Sequence, residues 1–359
     1  METQVSVLFG PSNHSALIQR HNNWIAIWLF IVAAMIFIIV ILGGATRLTH
    51  SGLSMVDWKP ITGWLPPFAE SEWQAVFERY KTSPEYREVN QDMSLAGFKG
   101  IFWLEFLHRL WGRIIGVAFF LPFAVFLIKG WVRGRLAGWL AGIFVLGGLQ
   151  GGMGWFMVKS GLVDQPDVSQ YRLAAHLCLA LLIYALTLWV AIGLARQPNA
   201  NGMNAAGGLA KAAAGLLALI SVTIFSGALV AGLDAGFSYN TFPLMDGDLV
   251  PDGLFEQVPY YLNFFENRIT VQFEHRLLAE ITLVCVLVFW WIARRRELSD
   301  MARQAIRAIA VMAVLQVILG IATLVLVVPL SLGVMHQGGA VVLLGITIWV
   351  FWELTQGAG

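Results

Sequence analysis

Charge and cysteine are both scarce in this chain of 359 residues. Charged residues make up 13% of it, about half the share that is usual in soluble proteins. Hydrophobic residues make up 58% and the mean hydropathy is +0.70, which excludes a soluble enzyme and a disordered chain and indicates an integral membrane protein. Cys178 and Cys285 lie within apolar segments, which is typical of small buried side chains and excludes a secreted disulfide scaffold. The net charge of +1 gives no indication of a nucleic-acid partner.

Eight apolar segments are long enough to cross a membrane, because a bilayer core of about 30 Å requires about 20 helical residues. The predicted spans are residues 25–45, 105–128, 136–157, 172–194, 209–231, 272–293, 304–327 and 332–352. The predicted fold class is therefore an all-α integral membrane protein with eight transmembrane helices.

The distribution of basic residues predicts the orientation of these spans. The short connectors after the second, fourth and sixth spans together hold ten lysine and arginine residues, and such residues mark the cytoplasmic side. We expect both termini to be cytoplasmic and two long loops, at residues 50–104 and 232–271, to face the periplasm. The polar stretch at residues 1–23 is expected to be neither a signal peptide nor a transit peptide, which favours a multi-pass protein of the bacterial inner membrane.

The two halves of the chain resemble each other. The matching segments are EFLHRL at 105–110 with QFEHRL at 272–277, LQGGMG at 149–154 with LQVILG at 315–320, and TLWV at 187–190 with TIWV at 347–350. Since each half has four spans, both enter the membrane from the same side, which predicts two parallel four-helix repeats. The predicted units are a cytoplasmic segment at 1–24, an N-terminal repeat at 25–200 and a C-terminal repeat at 201–359.

Four of the seven histidines lie inside predicted spans, at His108, His176, His275 and His336. The repeat pairs His108 with His275 and His176 with His336, all in the outer part of their helices. Ionisable residues are costly within a span, so four in matched positions indicate a function. Two imidazoles at similar depth on two helices are typical of a bis-imidazole haem. Zinc and copper are disfavoured, since each half lacks the third and fourth ligands that these ions take.

The residues near these histidines differ between the halves. Glu105 precedes His108 by three residues, one helical turn away on the same face, whereas Gln272 occupies the matching position before His275. A carboxylate can accept or deliver protons, so we predict a reactive first half and an electron-transferring second half. The alternative is a structural Glu105 near the helix start.

An arginine directly follows the first histidine of each half. Arg109 and Arg276 are predicted to contact haem propionates, because guanidinium pairs bidentately with carboxylate. The alternative is that both extend to lipid phosphate. Glu274 and Glu280 have no counterparts in the first half, and no role is predicted for them.

Several longer segments resemble the haem A synthase family. They are GGATRLTHSGLSMVDWKPITGWLPP at 43–67, EFLHRLWGR at 105–113, QGGMGWFMVKSGL at 150–162, NTFPLMDG at 240–247, NRITVQFEHR at 267–276 and the HQ pair at 336–337. The chain is similar to the proteobacterial and mitochondrial type of this family, since it has no cysteine pairs in its outer loops.

This resemblance implies that the substrate is haem O, whose C8 methyl is oxidised in two steps, through the alcohol and a gem-diol, to the formyl group of haem A for terminal oxidases. It implies that His108 and His176 are iron ligands framing haem O, with Glu105 as the critical carboxylate. By the same resemblance, His275 and His336 ligate a permanent haem b that relays electrons. The implied partners are a haem O synthase as haem donor and terminal oxidase assembly factors. A homo-oligomer stays open, and the membrane electron donor is not identified.

Two other functions need many of the same features. A quinol-linked di-haem b-type electron carrier would use the same histidines but should tolerate Glu105→Gln. A transporter would place polar residues near the bilayer midplane, whereas here they gather towards the outer end.

The mechanism also has two versions, because an iron held by both His108 and His176 has no free position for oxygen. In one, an imidazole leaves during turnover. In the other, which we slightly favour, electron abstraction from the methyl is followed by attack of water, with Glu105 taking protons or stabilising a developing cation.

Overall fold

The structure is a computed structural model that describes residues 11–58, 62–161, 168–196 and 207–356. Throughout these ranges the chain forms helices and loops, and no β-strand. The long helices are α1 (Pro11–Leu48), α4 (Leu95–Ile128), α5 (Gly134–Gly161), α6 (Gln170–Ala195), α7 (Gly207–Gly232), α9 (Arg268–Ala293), α10 (Asp300–Val325) and α11 (Leu330–Gln356). The short helices are α2 (Glu70–Tyr80), α3 (Pro84–Glu88) and α8 (Asn263–Glu266).

The eight long helices confirm the eight predicted spans, since each is long and apolar enough to cross a membrane. Most extend beyond the apolar segments, and a polar side chain caps the start of three of them, α4, α9 and α10. Ser94 accepts a hydrogen bond from the Gly97 amide at the start of α4, so this helix begins ten residues before the predicted span at 105. The seventh span ends at Val325 rather than at 327, because Val327 has a φ of 61°, outside the right-handed helical region.

Part of the predicted cytoplasmic segment at 1–24 is also helical, since α1 begins at Pro11. Residues 1–10 lie outside the described residues.

Each half arranges its four long helices in the same order. In the first half, α1 and α5 each contact both α4 and α6; in the second, α7 and α10 each contact both α9 and α11. This correspondence is what two repeats would produce, although the parallel repeat arrangement itself stays a prediction. The halves meet through α1, α6, α7 and α11.

Polar contacts join the halves near the end of α1. The Arg47 guanidinium forms an ion pair of 3.1 Å with Asp234 and donates to the Ala231 carbonyl oxygen at 2.9 Å. From α11, the Gln337 amide donates to the Val40 carbonyl oxygen at 2.9 Å. These bonds fix α1 against both α7 and α11.

Two long loops leave the bundle at one end, which we call the loop end. Loop 1 (49–94) follows α1, and loop 2 (233–267) follows α7. Loop 1 folds back onto α4 through an aromatic cluster formed by Trp73, Phe77, Tyr80, Phe98, Phe102 and Phe106. Tyr80 and Phe98 are completely buried. Loop 1 is therefore a packed part of the fold, and its first residues lie beside α4.

Candidate functional site

All four predicted ligand histidines lie near the loop end of their helices. His108 and His176 are on α4 and α6, and His275 and His336 are on α9 and α11. Each imidazole packs against a glycine of a neighbouring helix, where an added β-carbon would lie 2.9–3.2 Å from the ring Cε1. The glycines are Gly43 for His108, Gly154 for His176, Gly227 for His275 and Gly320 for His336. The close approach of the backbone leaves no room for a side chain at these glycines.

The structure brings the second-half histidines together. The ring centroids of His275 and His336 are 6.5 Å apart, at an interplanar angle of 83°. A metal ion bound between two imidazoles at about 2 Å from each nitrogen sets the ring centres roughly 6 Å apart. The described residues contain no cluster of three or more histidine, cysteine or acidic side chains that could hold a metal. The separation of the two rings therefore suits a haem iron, which His275 and His336 would hold between them.

In the first half, His108 lies on α4 and His176 on α6, and both of these helices contact α1 and α5. The surroundings of these histidines differ from those of the second pair in one respect. The buried Nδ1 of His108 has no hydrogen-bond partner among the described residues, whereas Nδ1 of His275 lies 2.9 Å from the Ser226 hydroxyl.

In each half, one glutamine contacts the second histidine. The Gln150 amide lies 3.3 Å from the His176 ring nitrogens and donates to its carbonyl oxygen at 3.0 Å. The Gln316 amide lies 3.2 Å from Nδ1 of His336 and donates to its carbonyl oxygen at 2.8 Å. We did not predict these residues from the sequence, although both occupy the same position in the matched LQ segments.

Glu105 is buried and held by three donors. The Ser54 hydroxyl donates to its Oε2 at 2.6 Å and the Met55 amide at 2.7 Å. The Arg109 guanidinium pairs with Oε1. Donors on both carboxylate oxygens fix the orientation of the carboxylate. The predicted acid–base residue is thus positioned jointly by α4 and loop 1.

Arg109 and Arg276, which were predicted to contact propionates, both bind the loops. Each guanidinium donates to two backbone carbonyl oxygens that are two residues apart. The acceptors are Met55 (3.1 Å) and Asp57 (3.2 Å) for Arg109, and Tyr239 (2.7 Å) and Thr241 (2.9 Å) for Arg276. Each arginine therefore clamps the start of a loop onto the helix bundle, and propionate binding stays a prediction.

Gln272 takes the position that matches Glu105. It is 2% exposed, as is Glu105. Its amide donates to the Tyr239 carbonyl oxygen at 3.0 Å, and its Oε1 has no hydrogen-bond partner among the described residues. The second half thus holds a neutral amide, which cannot serve as a proton acceptor.

A second buried carboxylate, Glu85 in α3, was not predicted. It is 4% exposed and its Oε2 has no hydrogen-bond partner in the described part of the chain. Burial and the nearby charge of Glu105 raise the pKa of Glu85 to about 7, which a hydrogen bond with Tyr80 partly offsets. Nothing in the sequence distinguishes it from the exposed acids of loop 1.

The chain is similar to known proteins over most of its length. Residues 26–348 match the family described as cytochrome oxidase assembly protein, COX15-CtaA. The chain is 51% identical to "Heme A synthase" of Nitrosospira multiformis over 92% of this chain and 94% of the relative. It is 50% identical to "Heme A synthase" of Paramagnetospirillum magneticum over 98% and 99%, and 47% identical to "Heme A synthase COX15" of Arabidopsis thaliana over 90% and 73%. The predicted resemblance is confirmed, and the chain belongs to the COX15-CtaA family of cytochrome oxidase assembly proteins.

Proposed function

We propose that this chain oxidises haem O to haem A in the membrane. The observation that carries the proposal is the environment of Glu105, a buried carboxylate fixed by Ser54, Met55 and Arg109 one helical turn from His108. Relatives at about 50% identity over nearly the whole chain are named heme A synthases. An electron carrier needs no such carboxylate.

The first half binds the substrate. His108 and His176 would bind haem O, and Glu105 lies one helical turn from His108 on α4. Conversion of a methyl to a formyl group by the water route consumes one water and releases four protons and four electrons, and the electrons pass one at a time to an external oxidant. Glu105 accepts these protons in turn, and because the three donors fix its orientation, it needs little reorganisation between steps.

The second half would hold a haem b. His275 and His336 are the residues that would bind it, which their ring separation of 6.5 Å supports. When bound, this haem supplies one-electron transfer. The neutral Gln272 beside His275 suits a haem that exchanges electrons without losing protons from its ring substituents.

The loop end faces the periplasm of a bacterial inner membrane, and both termini are cytoplasmic. The support is the basic charge on connectors at the opposite end of the bundle, including Lys129, Arg133 and Arg294. A haem O synthase delivers the substrate, and terminal oxidase assembly factors receive the product.

The first experiment is chromatographic analysis of haems extracted from the purified protein after co-expression with a haem O synthase. Haem A or its hydroxylated precursor beside haem B supports the proposal. Haem B alone, with haem O present in the membrane, would instead favour the electron carrier. Glu105→Gln should abolish haem A while the bound-haem spectrum is kept; unchanged haem A formation would remove the role of Glu105.

Isotope labelling separates the two versions of the mechanism. The hydroxylated precursor should carry oxygen from labelled water. Incorporation from labelled dioxygen would overturn the water route and favour departure of an imidazole before oxidation.

A further inference from the structure

The Ser226 hydroxyl fixes the protonation of the His275 ring. It donates its single proton to the Thr223 carbonyl oxygen at 2.8 Å. Towards Nδ1 of His275, 2.9 Å away, it can therefore only accept. Nδ1 then carries the ring proton, and Nε2 presents its lone pair for iron. A partner at the second nitrogen orients a histidine ligand, and losing it typically weakens metal binding by about 10–100-fold.

In the first half, no described residue is such a partner for His108. Gly43 contacts the His108 ring as Gly227 contacts the His275 ring, at 3.1 and 2.9 Å from Cε1 to an added β-carbon. In this register Leu42 corresponds to Ser226. A leucine side chain cannot accept a hydrogen bond, which agrees with the unpartnered, buried Nδ1 of His108.

We infer that Ser226 is a positioning residue that makes His275 a permanent iron ligand, and that Leu42 leaves His108 as the exchangeable ligand of the substrate haem. The inference rests on the proposed function, since only a substrate haem must enter and leave in every turnover. A ligand without a partner at its second nitrogen is less strictly oriented and dissociates more readily. The two halves thus differ in how readily the first histidine leaves the iron, and also in having Glu105 in the first half where the second has Gln272.

Carbon monoxide binding to the dithionite-reduced protein, followed by absorption spectroscopy, tests this difference. The gas binds a bis-imidazole iron only when one imidazole leaves, so its binding rate reports ligand exchange independently of haem A formation. In the parent protein we expect binding at the first-half haem only. Ser226→Ala should speed binding at the second-half haem by about tenfold, and Leu42→Ser should slow it at the first by a similar factor.

Ser221→Ala is the matched control, because the exposed Ser221 hydroxyl donates to the Leu217 carbonyl oxygen of the same helix. Unchanged rates in both Ser226→Ala and Leu42→Ser, at normal haem content, would overturn the inference. If Ser226→Ala loses its haem, Ser226→Thr should restore it through the retained hydroxyl; loss in both would show a packing role and also overturn the inference. Absence of haem A with these expected rates would contradict the proposed function alone.

Discussion

The Ser54 hydroxyl of loop 1 donates a hydrogen bond of 2.6 Å to Glu105 of α4. The two residues are 51 positions apart in the chain, so the orientation of the carboxylate depends on how loop 1 folds. The aromatic cluster between α2 and α4 provides that fold. The loop is thus part of the reactive site, and changes in it should alter turnover without removing any iron ligand.

Ser54→Ala tests this dependence. A hydrogen bond to a charged group contributes about 1.5–3 kcal/mol, so we expect haem A formation to fall about tenfold or more while haem binding is retained. The ratio of haem A to haem O in extracts measures the effect. Ser51→Ala is the control, since Ser51 is also buried in loop 1 but bonds to Thr49 at 2.7 Å. An equal fall in both variants would indicate general loosening of the loop instead.

The pKa of about 7 at Glu85 predicts a pH-dependent stability of loop 1. The folded value lies above the ordinary value of 4.5, so the folded state retains a proton that the unfolded state has released. The stabilisation is present below pH 4.5 and is lost at about 1.4 kcal/mol per pH unit as the pH approaches the folded pKa. The described groups that act on the Glu85 carboxyl are Tyr80, through a hydrogen bond, and Glu105, through its charge.

Glu85→Gln should therefore remove part of the stability loss between pH 5 and pH 8. Thermal unfolding in detergent at the two pH values measures this difference. Glu88→Gln, at an exposed position of the same short helix, should behave as the parent protein. A parent-like loss of stability in Glu85→Gln would show that Glu85 does not titrate in this range.

The eight spans and four histidines were predictable because each depends on local composition or on the repeat. The orientation of Glu105 was not, because its donor Ser54 is distant in sequence and no periodic pattern links them. Gln150 could have been predicted by comparing the two halves, since its counterpart Gln316 makes the same contacts. Glu85 was not, because its burial results from tertiary packing of a five-residue helix.

Gly320→Ala should disrupt the second haem site. The added β-carbon would lie 2.9 Å from Cε1 of His336, so the imidazole must move, and a shift of this kind displaces an axial ligand. We expect loss of most of the haem B recovered with the purified protein. Gly215→Ala is the control, because an added carbon there meets nothing within 4 Å. Normal haem content in Gly320→Ala would indicate that His336 is not a ligand.

Arg109→Lys and Arg276→Lys distinguish loop clamping from propionate binding. Lysine has a single ammonium group instead of a planar guanidinium, so it cannot donate to both carbonyl oxygens in the same way. If Arg109 clamps loop 1, Arg109→Lys should speed limited proteolysis of that loop severalfold and lower haem A formation, because the Met55 amide then leaves Glu105. Arg276→Lys should loosen loop 2 without affecting Glu105.

If the arginines instead bind propionates, each variant should lose haem from its own half while both loops stay protected. Haem content and the proteolysis rate of each loop, measured on the same samples, separate these outcomes. Because each guanidinium already donates to two loop carbonyl oxygens, we expect the proteolysis rate to change more than the haem content.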